Sequence, residues 1–418
     1  MQIAFKTPGR KRLTVAVAAL LALGYLAVTT SLFVGSWLGG RAELTALQRA
    51  SRIDPGNAEY RYRLGRYYDL VARDPDLAIG QYKTAVQLNP HSARYWFDLA
   101  GAYQVLGDTA KQTSALEHAI IADPMTPDVA WEAANFYLVQ GDTDKALREF
   151  RVVIASDSTN AQSALQLCWR VNPDVDALLR DVVPARSDSL LVFLDLLQAK
   201  QETASTIKVW NALMQTRESF PLQQAYDYIH FLIQHKEIDQ AELVWKQSAD
   251  RFGLSSYVPS ASNLVVNNNF SLTVLNAGFD WQYQKQSGVG LSLDPSDFHS
   301  GRRSLMISFD GPGITEAGIY QYVVVEPNTS YDFSAYYKTG EMEGAGGPHF
   351  SVQDMYSQKV YYESDELKNV GFWKSADGEF TTDPDCKLVV LHIRRLPAGS
   401  PIRGKLWVGD FHITRKAQ

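Results

Sequence analysis

The sequence predicts a multidomain α + β chain: a transmembrane helix, then an α-solenoid of helical hairpins, then an antiparallel β-sandwich. Three observations carry that prediction. A long uncharged run follows a basic N-terminus, a 34-residue period recurs in a helix-rich middle, and the apolar period falls to two beyond about residue 263. With 418 residues, the chain has room for two or three domains, each with its own core.

The first element is an anchor. Lys6, Arg10, Lys11 and Arg12 form a basic tail over 1–12, and no charge follows until Arg41. Leu13–Phe33 alone is long enough to cross a bilayer core of about 30 Å as a helix, and the expected span is 13–38. Basic residues before the run place the tail in the cytoplasm and the rest of the chain on the extracytoplasmic side. The apolar core of a cleaved signal is shorter, about 7–15 residues, which favours a retained anchor. A cleaved signal and a buried soluble helix are the alternatives.

The second element, 42–252, is a repeat array. "YQVLGDTAKQ" (103–112) recurs as "YLVQGDTDKA" (137–146), so Tyr103 and Tyr137, like Gly107 and Gly141, stand 34 residues apart. The unit 93–126 carries Trp96, Leu99, Tyr103, Gly107, Ala119 and Pro124. The unit before it carries Leu64, Gly65, Tyr68, Ala78, Tyr82, Ala85 and Pro90, with one extra residue in "RDPD". The unit 127–160 keeps Tyr137, Gly141, Ala146 and Phe150 and has Ser158 in place of the proline. These positions resemble the tetratricopeptide repeat. Small residues let paired helices approach, aromatics fill the space between units, and proline stops the second helix. The pattern is clear over 58–160 and degenerate over 161–252. There, "NPDVDALLRDVV" is expected to open with Asn172 as N-cap and Pro173 as first helical residue. "HKEIDQAELVWKQSADRFG" is expected to end on Gly253 as C-cap, with Ala241 and Trp245 in the second-helix places. Such an array implies a groove for a protein partner, while Tyr103, Tyr137 and Trp245 are expected in the core.

After a linker-like stretch, 253–262, the segments "RSLMISFDG", "GIYQYVVVEP", "TSYDFSAYYKTG", "PHFSVQDMY", "KVYYES", "CKLVVLHIRRL" and "GKLWVGDFHIT" alternate as strands with no helical pattern between them. This predicts a sandwich or jelly roll over 263–415, opened by a strand and loop in "NLVVNNNFSLTVLNAGFDWQY".

The β region resembles the carbohydrate-binding jelly-roll modules of the xylan- and glucan-binding kind, a galactose-binding-like architecture. "NNNFS…AGFDW", "HSGRRSLMISF", "YQYVVVEPNTSYDFSAYYK" and "GKLWVGDF" carry the resemblance. Many such modules hold a structural calcium. Here Ser271 and Gly409 stand where the pattern has acids, leaving Asp297 and Asp410 as possible ligands, and two acids alone do not make a calcium site.

Strand parity selects the surface for a glycan. Gln321, Val323, Val325, Tyr331, Phe333, Ala335, Phe350, Val352, Val389, Leu391 and Ile393 are expected inward. Tyr320, Tyr322, Ser334, Tyr336, Lys338, His349, Ser351, Gln353, His392 and Arg394 are expected outward. Rings stack on the apolar faces of sugars, while amides, imidazoles and guanidinium groups hydrogen-bond to hydroxyls. The candidate glycan residues are therefore Tyr320, Tyr322, Tyr336, His349, Gln353, His392 and Arg394. Such a face serves equally well to pack on the helices or on another protein. Trp281, Trp373 and Trp407 are expected as core or rim packing.

No catalytic motif is present: there is no G-x-S-x-G, H-E-x-x-H, phosphate-binding glycine loop or C-x-x-C pair. No cofactor is required by the sequence. A net charge of −6 gives no footprint for nucleic acid. Cys168 and Cys386 fall in different domains and read as two buried thiols. The expectation is a non-enzymatic membrane scaffold with a protein partner and a polysaccharide, in bacterial envelope or exopolysaccharide assembly. A pure protein-interaction module in which the β domain caps the array is the main alternative, and a polysaccharide hydrolase with an unrecognised site is a weaker one.

Overall fold

The computed structural model describes residues 8–156 and 158–416, which excludes Lys6 of the basic tail. Its packing divides the chain into two compact units, Met1–Leu196 and Leu197–Gln418.

The first unit opens with helix α1, Pro8–Gly39, which is long and apolar enough to cross a membrane, a property that a signal sequence shares. Apart from the half-buried Thr29, its side chains are exposed until the buried Gly35 and Gly39, one turn apart. A β-carbon on Gly39 would lie 2.3 Å from the Tyr60 ring, so this glycine lets the helix end settle onto α3 (Ala58–Tyr67), which follows α2 (Leu44–Ile53).

Helical hairpins follow: α3 with α4 (Pro75–Leu88), α5 (Ala93–Val105) with α6 (Thr109–Ala122), and α7 (Pro127–Gln140) with α8 (Thr143–Ser156). The motif residues act as their chemistry requires. Ala85, Ala119, Ala146 and Phe150 are wholly buried, and Leu64, Leu99, Tyr103 and Tyr137 nearly so. Gly65 lies against the ring of Tyr82, where a β-carbon would be only 2.6 Å away. Gly107 and Gly141 turn the chain at φ +73° and +78°. Pro90 and Pro124 each follow a helix end by two residues, and the Pro90 carbonyl accepts from Trp96 Nε1 at 2.8 Å. The extra residue in the first unit is absorbed by a π-helical turn, Tyr68–Ala72, closed by Arg73 in the left-handed region. Tyr68 is thereby half-buried rather than a core ring.

Beyond α9 (Ser158–Val171), the expected cap at Asn172 is displaced. Helix α10 runs Val175–Asp181, and Asp174 caps it by accepting from the amides of Asp176 and Ala177. A carboxylate one residue before the first apolar position wins over the Asn-Pro pair. Helix α11 is Ser187–Ala199.

The second unit joins three helices to the sandwich: α12 (Thr203–Gln215), α13 (Leu222–Gln234) and α14 (Ile238–Phe252). Gly253 caps α14 at φ +71°, as its place in the sequence predicts. Ten strands form two antiparallel sheets. These are β1 (Gln282–Tyr283), β2 (Val289–Asp294), β3 (Ser304–Gly313), β4 (Glu316–Val324), β5 (Ser330–Gly344), β6 (Gly347–Asp354), β7 (Val360–Glu363), β8 (Lys374–Thr381), β9 (Leu388–Leu396) and β10 (Pro401–Arg415). One sheet has the order β1-β4-β9-β6-β7, the other β2-β3-β10-β5-β8. The core between them holds the inward set predicted by parity, from Val323 and Phe333 to Phe350 and Leu391.

The stretch 253–262, linker-like in sequence, is packed: Tyr257 is buried, its carbonyl accepts from Trp245 Nε1 at 2.8 Å, and its hydroxyl donates to the Thr273 carbonyl at 2.7 Å. The opening segment 263–283 holds its strand, β1, at its last two residues rather than at its start, and 263–281 is coil. Its backbone coils through Asn267, Phe270 and Asn276, all at positive φ, while Val265, Val266, Phe270 and Trp281 enter the core. The asparagines satisfy this backbone, as with Asn267 Oδ1 accepting from Leu272 N and Asn276 Oδ1 from Tyr283 N. Cys168 and Cys386 are free and buried, and burial pushes each thiol up to about 12.

Candidate functional site

The outward residues of β4, β9 and β6 fall into cross-strand rows. Glu316, Arg394 and His349 form one, Tyr320, His392 and Ser351 the next, and Tyr322, Val390 and Gln353 the third. A cleft of about 290 Å³ lies over this face, walled by Glu316, Tyr320, Tyr322, Gln353 and His392, with Gln284, Gln286 and Gln358 also in its lining.

Glu316 organises the polar end. Its carboxylate accepts from His392 Nδ1 at 3.1 Å and lies 3.5 Å from Arg394 Nε. The other His392 nitrogen, Nε2, is buried with no hydrogen-bond partner among the described residues, on a residue only 7% exposed. A buried polar atom of this kind costs stability unless a ligand or water meets it. Tyr320 and Tyr322 meet edge to face at 5.4 Å, and the Tyr320 hydroxyl donates to Gln282 Oε1 at 3.1 Å. Burial, with the Tyr320 phenol beside it, holds the Tyr322 hydroxyl protonated well above the ordinary range. The cleft thus offers a ring edge, a carboxylate, an imidazole and several amides, the mixture that recognises a polyol.

Four of the seven sequence candidates line this cleft: Tyr320, Tyr322, Gln353 and His392. His349 and Arg394 stand in the row of Glu316 but outside the cleft lining, and His349 Nδ1 is engaged with the Ser364 carbonyl at 2.7 Å. Tyr336 belongs elsewhere. It lies on β5 of the other sheet and stacks on His299 at 3.7 Å, because consecutive strands β4 and β5 go to opposite sheets. Tyr322 is also not a free platform. It is 9% exposed and faces a crevice against α13, whose walls include Tyr226, Ile229 and Ile233. Glu316 was outside the sequence set because the strand reading began at Gly318. The bulge between Glu316 and Tyr320 extends the strand backwards while keeping Glu316 on the same face.

Trp281 is core, whereas Trp373 and Trp407 are rim rings, each donating Nε1 to an aspartate, Asp297 at 3.1 Å and Asp294 at 2.8 Å. The calcium candidates are engaged by donors. Asp297 also accepts from Lys338 Nζ at 2.5 Å, and Asp410 accepts from His299 Nδ1 at 2.6 Å and from the Ser300 hydroxyl. An ammonium against one carboxylate and an imidazole against the other do not fit a site for a dication, which needs six or more oxygens. Among the described residues no cluster of three or more acids, histidines or cysteines comes together. In the opening loop the carbonyls of Phe270 and Leu272 converge instead on the Arg303 guanidinium, at 2.5 and 2.7 Å.

Residues 262–397 match the family described as a carbohydrate-binding domain, and residues 68–112 match the tetratricopeptide repeat. The chain thus joins a helical region matched in part by the tetratricopeptide-repeat model to a sandwich matched over most of its length by the carbohydrate-binding model. Both are non-catalytic domain types. Protein IFIT1 homolog B of Homo sapiens is 27% identical over 135 residues, which are 30% of this chain and 28% of that protein, so the chain spans little more than a quarter of its relative's length. Among solved structures, a CBM4 structure is 13% identical, covering 36% of this chain and 99% of its own, with a TM-score of 0.29. The crystal structure of MamA is 23% identical, covering 38% of this chain and 88% of its own, with a TM-score of 0.29. The CBM22-1 xylan-binding domain from Paenibacillus barcinonensis Xyn10C is 17% identical over 36% of this chain and 94% of its own, with a TM-score of 0.26.

Proposed function

We propose that this chain is a non-enzymatic scaffold held at a membrane by α1, with its bulk on the extracytoplasmic side. The tetratricopeptide repeats take a protein partner, and the sandwich cleft takes a polysaccharide. The observation that carries the glycan half is the cleft itself: Tyr320, Glu316, Gln353 and the unsatisfied His392 converge on one sheet face of a domain matched to carbohydrate binders. Assembly of a bacterial envelope or exopolysaccharide is the setting that an anchor, a repeat array and a glycan cleft fit together, by analogy of architecture. The test is an array of plant and bacterial polysaccharides probed with the full chain in detergent. Retention of at least one polysaccharide, lost in Tyr320→Ala and His392→Ala, supports the reading. Retention of none sinks its glycan half.

A second reading is favoured by a specific contact. The Tyr356 hydroxyl donates to the Ile233 carbonyl of α13 at 2.6 Å, and Lys387 pairs with Asp239 of α14 at 2.5 Å. These contacts set the sandwich against this helical hairpin, which supports a reading in which it serves the repeat array as a terminal cap. Capping uses the α13 side of the sheet and leaves the Glu316–His392 end of the cleft for a ligand.

A further inference from the structure

A basic cavity lies far from the glycan cleft in sequence. It encloses about 340 Å³, and Arg41, Arg63, Arg66 and Arg94 line it, with Glu59 as its one acid. Glu59 pairs with Arg63 at 2.7 Å and Arg94 at 2.9 Å, while Arg66 reaches Asp98 only at 3.8 Å. Each of these three arginine side chains is about half exposed, at 46%, 59% and 50% for Arg63, Arg94 and Arg66. A guanidinium has five N–H donors, so one carboxylate leaves most of them free for an anion.

The position of this cavity specifies the anion. Arg63 Nη1 donates to the carbonyl of Gly39, the last residue of α1, at 3.0 Å. Arg41 stacks its guanidinium 3.7 Å from the Trp37 ring. If Leu13–Phe33 fills the hydrocarbon layer, Trp37 lies roughly 6 Å and Gly39 roughly 9 Å beyond it along the helix axis, at headgroup depth. The same cavity has an apolar lip: Leu70 is 60% exposed and Val71 65%, both on the π-helical turn. Exposed aliphatic groups beside free guanidinium groups suit the boundary between acyl chains and phosphate. A peptide carboxylate would satisfy the charge and leave the lip bare to water.

We infer that this cavity binds the phosphate of an anionic phospholipid headgroup in the leaflet where α1 emerges, seating the first helical hairpin on the membrane. This rests on α1 being a retained span. The test uses the full chain in bicelles of phosphatidylcholine alone, or with about a third phosphatidylglycerol, and reads the thermal midpoint. The expected result is a rise of roughly 3–5 °C with phosphatidylglycerol, lost in Arg41→Gln/Arg66→Gln and kept in part by Arg41→Lys/Arg66→Lys. Should the glutamine variant misfold, Leu70→Ser/Val71→Ser at exposed positions is expected to lose the rise as well. Further arms add inorganic phosphate, glycerol phosphate or an oligoglutamate peptide to phosphatidylcholine bicelles. An equal rise in any of them, no rise in any arm, or a rise that survives the glutamine variant overturns the inference. Alkaline carbonate extraction separates the two layers of argument. A chain released by carbonate removes the anchor, whereas a chain retained without the midpoint rise removes the headgroup site alone.

Discussion

The indole of Trp245 lies against the α-carbon of Gly278, so close that a β-carbon there would sit 2.1 Å from Trp245 Cζ3. Phe279 meets the same ring edge-on at 6.0 Å, and the indole N–H is spent on the Tyr257 carbonyl. Trp245 is the repeat-like aromatic of α14, and Gly278 belongs to the opening coil of the sandwich. The contact makes helix and sandwich one packed body, and Gly278→Ala must move the ring while holding alanine at φ +59°. Differential scanning calorimetry should show the Leu197–Gln418 unit melting in one transition, with Trp245→Ala costing about 3–5 kcal/mol. Separate transitions for helices and sandwich would contradict this.

Asp280 gives the same region a pH dependence. Its carboxyl is wholly buried, Oδ2 accepts from Leu275 N at 2.7 Å, and Oδ1 has no hydrogen-bond partner among the described residues. Burial, only partly offset by hydrogen bonds, pushes its pKa up from 3.8 to about 6. The folded state holds this proton more tightly than the unfolded state. The stabilisation is therefore full below about pH 4 and lost as pH rises through 6, on the order of 3 kcal/mol. Asp280→Asn should raise the midpoint at pH 7 and flatten its slope between pH 4 and 6. An unchanged slope would show that the carboxyl titrates normally.

Arg303 is expected to do in the opening coil what a cation does in a metal-stapled loop. It donates to the Phe270 and Leu272 carbonyls, and charged hydrogen bonds of this kind contribute about 1.5–3 kcal/mol each. Arg303→Met should lower the midpoint of the Leu197–Gln418 unit markedly, while EDTA and added calcium leave the unsubstituted chain unmoved. A midpoint that rises with calcium would overturn the assignment of the donors around Asp297 and Asp410.

Much of this was legible in the sequence. Period-two alternation placed Val323, Phe333, Phe350 and Leu391 in the core and His392 outside it, because side-chain direction in a strand follows from parity alone. The 34-residue period placed Gly107, Gly141 and Ala146 because turn and close-packing positions tolerate few residue types. What parity cannot carry is strand order, so Tyr336 was grouped with residues of the opposite sheet. It is equally blind to covering elements, which is how Tyr322 came to face α13. The coil at 263–281 escaped for a local reason: Phe270 adopts φ +55°, a conformation its side chain does not announce.

Glycan binding is proposed for the Glu316–Tyr320–His392 cleft. The most direct measurement is calorimetric titration of the full chain with the oligosaccharide of whichever polysaccharide it retains, repeated with His392→Ala and with Tyr336→Ala. Measurable binding is expected, weakened about tenfold or more by His392→Ala through loss of a buried hydrogen bond, and unchanged by Tyr336→Ala on the other sheet. Binding that survives His392→Ala and fails in Tyr336→Ala would place the ligand on the opposite face and contradict the proposal.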